Sequence, residues 1–331
     1  MTLMHCPALF RTVDQMPAPP QEFDLQTYHH VTSQQFLNRR AGNFNCHLGQ
    51  RKLLFALLEF LTLCVEKFDT HLRDCLLIYI GAAPGLNISV VLQLFPSLMV
   101  ELYDPSPIQC RSHNARLHHK CFTDHCIQEV HTRQKQLGKK HLLFVSDMRR
   151  SVDEAVIEDD MKKQAQWARD CLASAVSLKF RLPYDTDYFT YLDGTVYVQL
   201  YAPVRSAESR LIAFANAGNF KERQFDVKDY DRKMHCFNMY WRGATSEHPG
   251  ALHLTSRFPK LYLQKYEAAA EYLIVSQYIA CLHSSKDVVN LIAWLNSESL
   301  KTTHQTLQGC HRHSEICFAK KHRLGKSGDR A

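Results

Sequence analysis

The sequence predicts an α/β protein: a mostly parallel central sheet with helices on both faces. Three observations carry that expectation. Short apolar runs of strand composition recur at residues 76–80, 98–102 and 141–145. A helix-like stretch separates the first two runs, and others precede the first and follow the third, the alternation expected of strand–helix–strand units. A glycine-bearing loop, Gly81-Ala82-Ala83-Pro84-Gly85, joins the first run to a helix-like segment over residues 86–95. Glycines there let a backbone approach a ligand, and the following helix N-terminus offers free N–H groups.

Taken in order, residues 1–45 are irregular, with Pro17, Pro19 and Pro20 close together, and read as an extended arm. A helix opens at Gly49-Gln50-Arg51-Lys52. Its apolar positions Leu53, Leu54, Leu57, Leu58, Leu61, Cys64, Val65 and Phe68 keep the 3.6-residue period. Residues 75–100 carry no charge, but Gly81, Pro84, Gly85, Asn87, Gln93 and Pro96 interrupt them. A strand, a tight loop and a buried helix are therefore expected there instead of a membrane span. A further helix is expected over residues 160–176. Residues 188–202 read as two strands joined by Asp193-Gly194, a type I′ hairpin signal. Another strand is expected at 210–215 and helices at 261–282 and 286–295. The chain ends KKHRLGKSGDRA, a basic tail of disordered composition. The expected division is an arm over 1–45, one large domain over 46–300 and a tail over 301–331.

Composition narrows the class. Of 331 residues, 45% are hydrophobic and 22% charged, which excludes wholesale disorder, collagen and coiled coil. The net charge of +7 permits a polyanionic partner without requiring one. Twelve cysteines at irregular spacing, with no basic and apolar leader before them, point to reduced thiols in a cytosol-like compartment and to a chain that is not secreted.

The chemistry concentrates at predicted strand ends. Asp104 ends the second strand, 23 residues after Gly81. An acid at that spacing commonly accepts hydrogen bonds from ribose hydroxyls, although Asp104-Pro105-Ser106-Pro107 also reads as a plain turn. The loop is neither G-x-G-x-x-G nor a Walker loop. Loop and acid together suit an adenosine-containing ligand without a pyrophosphate, and S-adenosylmethionine fits. Asp147 closes the third strand and faces the same crevice, followed by Arg149 and Arg150, which can hold phosphates or simply be solvated.

These residues resemble a known family. Gln50-Arg51-Lys52-Leu53-Leu54, Tyr79-Ile80-Gly81-Ala82-Ala83-Pro84-Gly85, Val145-Ser146-Asp147, Ser177-Leu178-Lys179-Phe180-Arg181 and Ala202-Pro203…Ser206-Ala207-Glu208-x-Arg210-Leu211 occur in this order, with Tyr230-Asp231-Arg232-Lys233-Met234 beyond them. Over residues 46–245 the chain looks like the poxvirus-type cap-specific mRNA (nucleoside-2′-O-)-methyltransferases. In poxviruses these also serve as the small, stimulatory subunit of poly(A) polymerase. The glycine loop alone would also suit other FtsJ-like RNA methyltransferases; the ordered Lys-Asp-Lys-Glu set is more specific. The resemblance implies a Rossmann-like S-adenosylmethionine-dependent methyltransferase fold and origin in a large DNA virus. It also implies action in the host cytoplasm and the virion, capped mRNA as substrate and a poly(A) polymerase catalytic subunit as partner.

Residue by residue, the resemblance implies a catalytic set of Lys52, Asp147, Lys179 and Glu208, with Lys179 as the base for the ribose 2′-hydroxyl. A free lysine is protonated at neutral pH; a neighbouring cation such as Lys52 and desolvation disfavour that form, while Asp147 and Glu208 would orient the two lysines. Methyl transfer from a sulfonium asks for alignment more than acid catalysis, and no metal is assigned. Gln50, Tyr79, Gly81, Gly85, Asp104 and Asp147 would line the donor pocket. Arg149, Arg181, Tyr184, Glu208 and Asp231 would form the capped-RNA site, and Tyr28 of the arm the second stacking aromatic. A cationic 7-methylguanine suits aromatic stacking plus a carboxylate at its N–H edge. Arg149, Arg181, Lys320 and Lys321 would act through phosphate.

Each residue also has an ordinary reading when taken singly. Lys52 is a solvated charge opening a helix, Lys179 and Arg181 an exposed strand face, Glu208 a salt-bridge partner and Tyr184 a half-buried surface aromatic. Two departures stand out. The family pattern carries an arginine shortly after the acidic strand end, where this chain has Pro105 and Ser106. It also has Cys110, His113, His118, His119, Cys121, His125 and Cys126, and in the tail Cys310, His311, His313 and Cys317. Spacings such as Cys121-x4-Cys126 are open to zinc, but no paired C-x2-C is present. A nicotinamide enzyme is the weakest alternative, because the glycine pattern is wrong for it.

Overall fold

Apolar runs that lack a polar alternate face can be stable only when covered on both sides, and that requirement organises the molecule. The computed structural model describes residues 9–20, 23, 45–68, 71–202, 206–242, 248–258 and 265–298. The helix α1 (Asn45–Phe68) leads into β1 (Cys75–Ile80), α2 (Leu86–Leu94), β2 (Met99–Tyr103), β3 (Ala115–His118), α3 (His125–Gln136), β4 (His141–Ser146), α4 (Glu154–Asp170) and β5 (Ala175–Phe180). Then come β6 (Tyr188–Leu192), β7 (Thr195–Val198), β8 (Ser209–Phe214), β9 (Glu222–Asp226), α5 (Val227–Cys236), which continues into a π-turn at Phe237–Trp241, α6 (Pro249–Arg257) and α7 (Lys265–Cys281). A last helix covers residues 288–298.

Seven strands form one sheet in the order β3-β2-β1-β4-β5-β8-β7. The links from β3 through to β5 are parallel, and β8 runs against both β5 and β7. All six residues of β1 are buried, as a central parallel strand requires. The order moves outward from β1 to β3 and then jumps back to β4. The carboxyl ends of β1 and β4 therefore flank the switch point, where open α/β sheets bind ligands. Right-handed crossovers place α2 on one face and α3 and α4 on the other. Consistent with this, α1 packs on α2 and α7. On the other face Trp167 of α4 donates to Asp124, which caps α3, at 2.7 Å.

The mostly parallel sheet is as expected, and the uncharged window over residues 75–100 resolves into β1, the glycine loop, α2 and the start of β2. No described helix is long and apolar enough to cross a membrane. Three expectations change. The helix predicted over 160–176 instead runs Glu154–Asp170, and Val176 lies on β5. Its start follows from Asp153, whose carboxylate accepts from Ala155 N–H at 3.0 Å as the N-cap. The Asp193-Gly194 hairpin does not form: β6 pairs with β9 and β7 with β8. Neither residue of that dipeptide has the positive φ of a type I′ turn. Gly194 instead admits the close backbone of β8, since a Cβ there would lie 2.6 Å from the Ile212 carbonyl oxygen. Finally β3, α3, β9, α5 and α6 form where no element was expected; α5 buries Val227, Tyr230 and Met234, an i, i+3, i+7 set within a strongly charged stretch.

Of the proposed arm, residues 9–20 lie against the sheet. Thr12 bridges to Tyr197, Val198 N–H donates to the Arg11 carbonyl at 2.8 Å, and Phe10, Val13 and Met16 join the core. That contact covers the β7 edge. Residues 24–44 and the tail over 301–331 lie outside the described residues.

Candidate functional site

The site is built where strand ends converge. Asp147 follows β4 directly, and its N–H donates to the Ile80 carbonyl at 2.9 Å, so it stands beside Gly81 at the switch point. Lys179 is on β5, next to last. In the antiparallel register Arg210 of β8 lies opposite it, so both side chains share one face. Glu208 precedes β8, and Lys52 reaches in from α1.

These groups form one alternating chain of charge. Lys52 Nζ lies 2.8 Å from Glu208 Oε1; Lys179 Nζ lies 3.1 Å from Glu208 Oε2 and 3.2 Å from Asp147 Oδ1. Arg210 closes the other end on the same Asp147 oxygen and donates to the Ser146 carbonyl at 2.7 Å. Burial alone would push the Glu208 carboxyl up. Lys179, Lys52 and Arg210 more than offset it and hold the group well below the usual carboxylate range. Its stabilising contribution is therefore present at neutral pH and is lost only in strong acid, as pH falls through that depressed value. The four residues set apart by sequence thus meet in space. Arg210 is a fifth member that sequence reasoning quoted but did not place in the site; its spacing two residues from Glu208 was the available signal.

Of the predicted donor residues, Tyr79, Gly81 and Asp104 gather with Asp147 around the glycine loop. Gly81 has φ +76°, and a Cβ on it would stand 3.0 Å from the Asp147 carbonyl carbon, so both backbone conformation and space require glycine. Gly85 caps α2. Tyr79 is buried on β1; burial and the Asp147 carboxylate push its phenol well up, against the pull of Arg210. Asp104 accepts from Ala83 N–H through Oδ2 at 3.0 Å and from Ser106 N–H through Oδ1 at 2.8 Å. It therefore ties the glycine loop to the end of β2, and each oxygen keeps a further lone pair. The buried Gln50 Oε1 makes no hydrogen bond among the described residues, and the Asn87 amide lies against the Tyr79 phenol. Asn87 was not predicted; its place just after Gly85 was the only hint.

The residues predicted to meet capped RNA divide. Tyr184 is 46% exposed, and its phenol feels the Asp231 carboxylate of α5. Asp231 lies 2.9 Å from His235 Nε2, one turn on. Arg149 makes one long hydrogen bond, 3.4 Å to the Ile157 carbonyl, and no ion pair among the described residues. Arg150, by contrast, is held by Asp159 and Asp160. Arg181, predicted to act through phosphate, is paired bidentately with Glu154, because β5 ends at Phe180 and the next side chain turns to the start of α4. Tyr28, Lys320 and Lys321 lie outside the described residues.

The Cys/His stretch does not gather. Cys110 and Cys126 are buried in the core, and His118 stacks on Tyr103 at 4.2 Å and meets Glu101 at 2.6 Å. Among the described residues no group of three or more His, Cys, Asp or Glu side chains could hold a metal ion. The tail cysteines and histidines lie outside those residues. A separate groove of about 500 Å³ lies between α3 and the β2–β3 edge, away from the charge chain, and is lined by Glu101, Arg116, His118 and Arg133 among others.

Fold and site together define a doubly wound α/β protein with a glycine-loop crevice at its switch point and a lysine–carboxylate chain beside it. A family model described as the poly(A) polymerase regulatory subunit matches residues 25–293. The chain belongs to the poly(A) polymerase regulatory subunit family. Among curated proteins it is 29% identical over 210 residues to the cap-specific mRNA (nucleoside-2′-O-)-methyltransferase of Myxoma virus (strain Lausanne), covering 58% of this chain and 61% of that protein. It is 27% identical over 234 residues to the enzyme of the same name from Fowlpox virus (strain NVSL), covering 64% of this chain and 74% of that protein. A solved structure of bluetongue virus VP4, described as revealing a multifunctional RNA-capping production-line, matches 55% of this chain and 30% of its own at a TM-score of 0.46 and 14% identity.

Proposed function

We propose that this protein is a cap-specific mRNA 2′-O-methyltransferase, moving a methyl group from S-adenosylmethionine to the ribose 2′-hydroxyl of the first transcribed nucleotide of capped mRNA. The observation that carries the reading is the Lys52–Glu208–Lys179–Asp147 chain standing beside the glycine loop. A pure binding module has no use for a lysine nitrogen held between two carboxylates.

The crevice suits the donor. Gly81 lets the glycine loop lie directly against the Asp147 backbone, Asp104 has acceptor capacity for ribose hydroxyls, and Gln50 Oε1 is a buried polar atom with no hydrogen bond among the described residues. S-Adenosylmethionine, when bound, supplies an electrophilic methyl on a sulfonium. The protein's own work is at the acceptor oxygen. A neutral amine has two N–H groups and one lone pair. Asp147 and Glu208 each hold Lys179 by one N–H and so fix where its remaining position points; with that position deprotonated, its lone pair takes the 2′-hydroxyl proton as the oxygen–methyl bond forms and the sulfonium leaves as a thioether. Lys52 and Arg210 neutralise the carboxylates' outer sides and keep them from swinging away. Tyr184 stacks on the methylated guanine, Asp231 accepts from its N–H edge and Arg149 meets phosphate.

The test is transfer from labelled S-adenosylmethionine to short capped and uncapped RNA, with the modified position mapped. Label in the 2′-O-methyl of the first nucleotide of capped RNA is expected; label on a base, or none, overturns the reading. Two variants probe its halves. Asp104→Ala is expected to weaken donor binding by roughly 1–3 kcal/mol, the cost of losing hydrogen bonds to a charged acceptor. Calorimetry should find RNA affinity nearly unchanged; equal loss of both would signal misfolding. Tyr184→Ala should weaken cap-analogue binding by on the order of 1–3 kcal/mol through lost stacking, with uncapped RNA spared. An unchanged cap affinity moves the cap site elsewhere.

Family membership favours a second role, as an RNA-gripping stimulatory subunit of a poly(A) polymerase. The two roles are compatible. Addition of this chain to a related polymerase catalytic subunit should lengthen the tails made on a short RNA primer, and Lys179→Ala should leave that effect intact.

A further inference from the structure

We propose that Glu154 is a positioning residue that decides what the cap site reads: it withdraws Arg181 from phosphate binding and makes it the platform beneath Tyr184. The proposal rests on the cap-site reading above. Glu154 opens α4, where the helix dipole favours a carboxylate. Arg181 Nη1 lies 3.0 Å from Glu154 Oε1 and 3.2 Å from Oε2, and Nη2 binds Oε1 as well. The same Oε2 accepts the Tyr184 N–H at 3.0 Å. One side chain thus ties the whole 181–184 turn to α4.

The consequence is geometric and electrostatic. The Arg181 side chain is only 13% exposed, and its guanidinium carbon sits 4.2 Å from the centre of the Tyr184 ring. A planar cation at that distance covers one face of the ring. The other face remains for a stacked base. A bidentate carboxylate satisfies the fork that would otherwise clasp a phosphate. The nearby cation free to meet phosphate is Arg149, which has no ion pair among the described residues. The site is thereby biased toward reading a base.

The experiment uses the full chain with Glu154→Gln, which keeps the shape and drops the charge. Binding is measured for 7-methylguanosine, which carries no phosphate, for an uncapped oligoribonucleotide across a salt series, and for S-adenosylmethionine as a control on folding. Affinity for 7-methylguanosine should fall severalfold as Arg181 leaves the ring. Affinity for uncapped RNA should rise, and the log–log salt slope should steepen by about one, because Arg181 gains a phosphate. The double variant with Arg181→Met should return the slope to its original value. A merely structural role would lower both affinities together, and that outcome overturns the proposal, as does an unchanged affinity for 7-methylguanosine. Arg181→Met alone gives an independent check: it should lower 7-methylguanosine affinity and leave the uncapped salt slope unchanged, whereas a flatter slope would restore Arg181 as a phosphate ligand. If the unaltered chain does not bind 7-methylguanosine, the cap-site reading fails, and the salt slopes on uncapped RNA still judge Glu154.

Discussion

Lys179→Ala is expected to reduce methyl transfer by roughly 10²–10⁴-fold, the range that a positioned proton acceptor contributes. Donor and RNA affinities should hold, because proton transfer is needed mainly in the transition state. The charge chain explains why the pocket should survive the truncation. Without Lys179, Glu208 keeps Lys52 at 2.8 Å and Asp147 keeps Arg210, so neither carboxylate is left buried alone. Single-turnover transfer from labelled S-adenosylmethionine, alongside equilibrium binding of both substrates, measures the two effects separately. Activity within tenfold of the unaltered protein would remove Lys179 from the chemical step.

Glu271→Ala is expected to cost about 3–5 kcal/mol of stability, the penalty for stranding one half of a buried ion pair. Arg51 and Glu271 are both fully buried; Arg51 Nε donates to Glu271 Oε1 at 2.6 Å, and Tyr201 Oη donates to the same oxygen at 2.7 Å. The pair pins α1 to α7 one residue before Lys52. Thermal unfolding should therefore shift down by on the order of 10 °C. A folded fraction of the variant, assayed well below that temperature, should also show weakened transfer, because the base of Lys52 has lost its anchor. A shift within a degree of the unaltered protein would mean that α1 is held by its apolar face alone.

The parts of the fold legible in the sequence are those where one physical requirement dominates. The runs that became β1, β2 and β4 could only be strands buried on both faces, and the α1 stripe from Leu53 to Phe68 could only be a packed helix. Gly81 was legible because a loop that passes 3.0 Å from another backbone tolerates no side chain. β3 and α3 were not legible. Polar side chains of both line the groove at the sheet edge, and α3 buries only Cys126 and Val130, too short an apolar stripe to stand out along the chain. The Asp193-Gly194 dipeptide carried a genuine local turn signal, yet the strands on either side found better partners in β8 and β9. Local preference amounts to a fraction of a kilocalorie per residue, whereas a strand gains its stability from the sheet it joins, so tertiary pairing prevailed.

The same division runs through the site. The sequence by itself determined the fold class and the glycine loop, and its ordered resemblance to the methyltransferase family singled out Lys52, Asp147, Lys179 and Glu208, because residue type and order along the chain carry that information. Only the tertiary structure decided which charges meet. It joined Lys179 to both carboxylates, added Arg210, and set Arg181 against Glu154. The physical reason is range. Hydrogen bonds and ion pairs act over about 3–4 Å, and the side chains that meet here lie 27 to 156 positions apart in the chain. Their pairing is fixed only once the strands are in register.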